Sequence, residues 1–102
     1  MSKYAIYQLN HDLGKHIRDY SFRSYGDVVG EGLTIDKSNY ECVYEFESED
    51  FLTKDDIYYI FNMMRPEDFR GHSLSVSDVI MVPDGYYYCD SFGWRKLDWR
   101  DE

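Results

Sequence analysis

GHSLSVSDVIMVPDGYYYCDSFGW, residues 71–94, is the stretch that decides the fold of this 102-residue chain. A polar loop leads into an apolar run over 76–82, Pro83-Asp84-Gly85 supplies turn chemistry, and an aromatic run over 86–91 returns. This order predicts a β-hairpin. Successive strand side chains point to opposite faces, so Tyr87 must face away from Tyr86 and Tyr88, and both sheet faces receive tyrosine.

Outward from the hairpin, residues 95–98 read as a last short strand, and 65–75 as a polar connection. Before it lies a helix with a legible start. Thr53 is a good N-cap, Asp55 and Asp56 fall in the first turn, and Leu52 is placed to staple onto Ile57. Ile57, Ile60, Phe61 and Met64 then recur at helical spacing, and the Arg65-Pro66 step ends the helix near Met64.

Residues 40–48 read as a strand with one wet and one buried face. Tyr40, Cys42, Tyr44 and Phe46 alternate with Glu41, Val43, Glu45 and Glu47. Residues 3–9 (KYAIYQL) read as an N-terminal strand. Leu13, His16, Ile17 and Tyr20 predict a short helix over 11–22, although Gly14 weakens it. Three glycines between Arg23 and Asn39 suggest a surface loop with a short strand near Leu33 to Ile35. The expected order is β-α-β-α-β-β, a single α+β domain over 1–102 with a mainly antiparallel sheet and two helices on one face.

The composition demands a core. Aromatic residues make up 19% of the chain, with 11 Tyr, 6 Phe and 2 Trp, far above what a disordered acidic chain carries. The formal charge of −9, from 20 acidic and 11 basic residues, repels phosphate and anionic lipid. Direct nucleic-acid or membrane binding is therefore disfavoured, and a basic protein partner is favoured. Cys42 and Cys89 show no metal-ligand or redox spacing and read as structural thiols. With no signal-like segment and no apolar run near the roughly 20 residues that span a bilayer, the chain reads as cytoplasmic.

GHSLSVSDVI, followed after a turn by YYYCDSFGWRKL, resembles the YodL-like domain of small Firmicutes proteins and mobile-element proteins. YAIYQLN and FNMMRPEDFRGHS fit the same pattern, so the likeness covers most of the chain, with its core in residues 58–97. The resemblance implies this fold and a mobile-element setting, and it supplies no catalytic residue.

His72, Ser73, Ser75, Ser77 and Asp78 have the residue types of a hydrolase but no nucleophile elbow. Serines entering a strand cap and turn the backbone, so a structural role is favoured, with Asp78 or Asp90 accepting backbone or tyrosine hydrogen bonds. Asp78, Asp84 and Asp90 lack metal-ligand spacing, and no phosphate loop is present; no cofactor, metal or catalytic residue is expected.

The stronger functional signal is charge. Glu41, Glu45, Glu47, Glu49, Asp50, Asp55 and Asp56 stand against the single cation Lys54 between residues 41 and 56. Glu45, Glu47 and Glu49 are expected on one strand face at intervals of roughly 6.5 to 7 Å. Such a row resembles a nucleic-acid backbone as seen by a basic groove. It suggests a non-enzymatic, anti-CRISPR-like inhibitor that occupies the nucleic-acid-binding surface of a basic bacterial effector. The plain alternative is a solvated strand face followed by helix-dipole acids. A second candidate is an adaptor that contacts a host protein through Tyr87 and Trp94; a third, weaker one is a small hydrolase built on His72 and a nearby serine.

Overall fold

The computed structural model describes residues 2–10, 20, 23–33, 35–69, 71 and 73–99. The elements are β1 (Ser2–Leu9), α1 (Tyr25–Gly30), a 3-10 turn (Lys37–Asn39), β2 (Tyr40–Ser48), α2 (Lys54–Met63), β3 (Val79–Val82), β4 (Gly85–Cys89) and β5 (Trp94–Leu97). The five strands form one sheet in the order β2-β1-β3-β4-β5, and every neighbouring pair is antiparallel. The α+β class and the antiparallel sheet agree with the sequence reading.

Both sheet faces are covered, because the strands alternate apolar with apolar. On the first face Tyr4, Ile6, Ile80 and Val82 pack against Ile57, Phe61 and Leu74, with Phe46, Tyr44, Phe69, Tyr87 and Trp94 around them. The second face gathers Leu9, Tyr40, Val79, Tyr86, Tyr88 and Leu97, with Tyr7, Tyr25 and Trp99 packed on them. Tyrosine suits such a layer when its hydroxyl finds a partner. Tyr40 donates to the Ser77 carbonyl at 2.6 Å and Tyr88 to that of Arg23 at 2.6 Å.

The helices do not share a face. α2 lies on the first, whereas Tyr25, the first residue of α1, meets the Tyr88 ring edge-on at 6.0 Å on the second. The helix expected over 11–22 lies outside the described residues apart from Tyr20. α1 occupies part of the expected loop instead, with Ser24 as N-cap accepting from the Asp27 amide. Leu33 and Ile35 are in no strand.

α2 begins as its sequence demands. Thr53 and Asp56 form a reciprocal capping box, and Leu52 packs on the cluster that holds Ile57. Met64 departs from the expected buried stripe. It is the C-cap, its φ of −136° takes it off the helical path, and its side chain is exposed.

The alternation in β2 is broken by a bulge. Ile6 pairs with Tyr44 but Tyr7 with Cys42, so Val43 is the extra residue. One added residue reverses the facing of everything beyond it. Tyr44 and Phe46 therefore stay on the first face while Tyr40 sits in the second cluster, and the four residues expected on one buried face are divided between two.

Candidate functional site

The residues expected to meet a partner are dispersed around the sheet. Glu45 and Glu47 are exposed on β2, opposite Ala5 and Lys3 of β1. They share a face with the second cluster at the edge of the sheet. Lys3 meets Glu45 at 3.1 Å, a solvated pair of the kind that contributes about 0–1 kcal/mol. Glu49 does not continue the strand as expected. It and Asp50 are exposed in the bend after β2, where the Asp50 carbonyl accepts from Tyr4 and its amide donates to Ser48. The turn is held by backbone and the carboxylates are left in solvent.

Asp55, Asp56, Tyr87 and Trp94 belong to a different corner, where α2 lies over the hairpin. Asp56 accepts the Thr53 amide at 2.9 Å as half of the capping box. Asp55 accepts from the Trp94 indole N–H at 3.3 Å, and Tyr58 meets the Trp94 ring edge-on at 6.3 Å. The Lys54 ammonium lies 4.2 Å from the centre of the Tyr87 ring, while the Tyr87 hydroxyl donates to Asp84 at 2.7 Å. That hydrogen bond is the leading reason the Asp84 carboxyl is held below its usual range and the Tyr87 phenol above its own. The hairpin aromatics are thus half-buried parts of the α2 seat.

The 73–78 loop is a structural clamp. The buried Asp78 carboxylate accepts from Gln8 Nε2 at 3.1 Å and from the Ser75 amide at 2.9 Å. Ser77 takes a left-handed φ of 88°, its amide donates to the Cys89 carbonyl, and Cys89 N–H returns a bond to the Asp78 carbonyl. This turn delays β3 until Val79, three residues later than the sequence suggested. Asp90 accepts from the Tyr25 and Ser91 amides, the backbone-binding role expected of it. β4 ends at Cys89 because Asp90 N–H closes the 90–93 turn on the Gly93 carbonyl. Gly71 fits here only without a side chain, since a Cβ would collide with the Gln8 amide oxygen and lie 2.9 Å from the Phe69 ring.

His72, the base of the hydrolase reading, lies outside the described residues. Among the described residues no group of three metal-ligating side chains converges. No helix is long and apolar enough to cross a membrane. Both cysteines are free thiols, Cys42 exposed and Cys89 buried. Burial, followed by the nearby Asp78, pushes the Cys89 thiol up to about 12.

Two features escaped the sequence reading. An open groove of about 970 Å³ is lined by Tyr25, Val29, Leu33, Ile35, Leu97 and Trp99. It depends on α1, whose Ser24-to-Asp27 cap was a usable signal masked by Gly26 and Gly30. The outward side of α2 also exposes Tyr59 and Met63, which stand four residues apart. That spacing is legible in the sequence as the complement of the buried Ile57 and Phe61 stripe.

The architecture defines a small α+β domain with a sheet covered on both faces and an acidic edge strand. The model of the YodL-like domain matches residues 3–99, and the chain belongs to that family. No curated protein and no solved structure matches it.

Proposed function

We propose that this chain is a non-enzymatic protein-interaction module that binds a basic protein surface through the β2 edge and the bend after it. The observation that carries the reading is the run of exposed carboxylates Glu45, Glu47, Glu49 and Asp50. The first two stand on a rigid edge strand, at a separation of roughly 6.5 to 7 Å. Negative charge fixed at such intervals competes for a groove that would otherwise hold phosphates. The finer form of the proposal is an anti-defence, anti-CRISPR-like inhibitor from a mobile element, occupying the nucleic-acid-binding surface of an effector.

The Lys3–Glu45 pair does not oppose this, because exchanging one exposed ion pair for another costs little. The adaptor alternative is less well supported, since Tyr87 and Trp94 are engaged with Lys54, Asp84, Asp55 and Tyr58. A hydrolase is supported least, since the buried Asp78 carboxylate that could orient a base is bonded instead to Gln8 and to the Ser75 backbone amide.

The test is charge reversal of all four residues (E45K, E47K, E49K, D50K). In affinity capture from a host lysate, basic proteins retained by the wild-type chain at moderate salt should be lost by the variant with circular dichroism unchanged. Retention of the same proteins by the folded variant would refute the electrostatic mechanism.

A further inference from the structure

α2 has an outward face that the domain uses only at its start, where Asp55 and Tyr58 meet Trp94. Ile57 and Phe61 are buried beneath it, while Tyr58 is 43% exposed, Tyr59 56% and Met63 71%. Side chains four apart lie one above another on a helix, so Asp55, Tyr59 and Met63 make one stripe. Tyr58 and Asn62 make the adjacent one, with Asn62 Nδ2 donating to the Tyr58 carbonyl at 2.9 Å. An exposed aromatic and thioether ridge in a chain of charge −9 marks a contact surface better than a solvated one, since Tyr and Met are enriched where proteins meet.

Both ends of this ridge are acidic. Asp55 and Asp56 are exposed at its start; Glu67 and Asp68 are exposed just beyond its end along the chain, Asp68 accepting from the Tyr44 hydroxyl at 2.9 Å, with Arg65 between. That arrangement selects the occupant. A second copy docked in parallel would set Asp55 and Asp56 against themselves, and one docked antiparallel would set them against Glu67 and Asp68. Either pairing buries like charges near each other, which is destabilising.

We infer that α2 is the apolar anchor of the interaction surface and that it receives a basic amphipathic helix of a partner protein. The partner's apolar stripe lies on Tyr59 and Met63, and its Lys or Arg residues reach the carboxylates at both ends. This inference rests on the reading of the chain as a binder of basic protein, and it adds a part that salt does not screen.

The experiment uses fluorescence anisotropy with a labelled peptide of Leu and Lys, about five helical turns long, with leucine confined to one face. A scrambled peptide of the same composition and charge is the control. The amphipathic peptide should bind the wild-type chain at least about tenfold more tightly than the scramble, the scale of losing a small hot spot. The double variant Y59A/M63A should abolish that preference while leaving scramble binding unchanged. Both positions are exposed, and alanine favours helix, so the variant keeps its fold, checked by circular dichroism.

Equal binding of the two peptides, or a preference that survives Y59A/M63A, would overturn the inference. If E45K/E47K/E49K/D50K still removes scramble binding in that case, the acidic-edge reading stands alone; if it does not, both fail. A concentration-dependent dimer in light scattering that Y59A/M63A dissolves would assign the ridge to a second copy and overturn the inference as well.

Discussion

The corner where α2 meets the hairpin and the edge made by β2 are both rich in residues that favour binding, yet they differ in what those residues are already doing. At the corner, the Trp94 indole bonds to Asp55, the Tyr87 hydroxyl to Asp84, and Lys54 covers the Tyr87 ring. At the edge and the bend after it, Glu45, Glu47, Glu49 and Asp50 are exposed, with Glu45 in a solvated pair with Lys3. The contrast shows that residue type alone does not distinguish a contact from a strut. An aromatic side chain whose polar tip is satisfied inside the domain contributes to stability, whereas a charge held on a rigid strand without a buried partner contributes its field.

The largest expected effect is a collapse at alkaline pH governed by the buried groups and not by the edge. Burial holds the Tyr40 and Tyr88 phenols well above their usual range and pushes Cys89 from 9.0 to about 12. Each group is neutral in the fold and loses its proton more easily when unfolded. The stabilisation is complete below the unfolded values, near 9 for Cys89, and is lost as pH rises through the folded ones. Tyrosinate absorbance should therefore rise cooperatively with loss of circular dichroism. A gradual titration with the fold intact would contradict the buried aromatic layer.

Trp94→Ala should cost about 3 kcal/mol in urea unfolding, the lower end for a large aromatic because the ring is only half-buried. A cost below about 0.5 kcal/mol would return Trp94 to the candidate contacts. Gly71→Ala should cost about 2 kcal/mol by forcing Gln8 and Phe69 apart, and the double variant with Gln8→Ala should lose less than the sum of the two single losses. The quadruple reversal at the β2 edge should change stability least, by about 0.5 kcal/mol or less. A large loss there would make the acidic row a structural feature and end its separation from the corner.

Much of the architecture was legible because local signals agreed. The Thr53 cap with Asp56 in the first turn, the Pro-Asp-Gly turn and the β-forming run of residues 3–9 each encode one element. The misreadings share a cause in single residues whose effect depends on a neighbour strand. Val43 looked like one more alternating residue, but pairing with β1 made it a bulge that moved Tyr40 to the second face. Ser77 looked like the second residue of a strand over 76–82, but its amide bond to the Cys89 carbonyl accompanies a left-handed turn. The acidic candidates were visible from charge spacing, while their separation into an edge, a bend and a helix corner was not.

By itself the sequence determined the hairpin, the capped helix, the acidic excess and the kinship to YodL-like domains, since each is written in adjacent residues. Only the tertiary structure decided that the Val43 bulge divides β2 between the two faces, that Tyr87 and Trp94 brace α2, and that Tyr59 and Met63 are left facing outward. Those outcomes depend on strand register and on which groups satisfy one another across the fold, and such pairings join residues far apart in the chain.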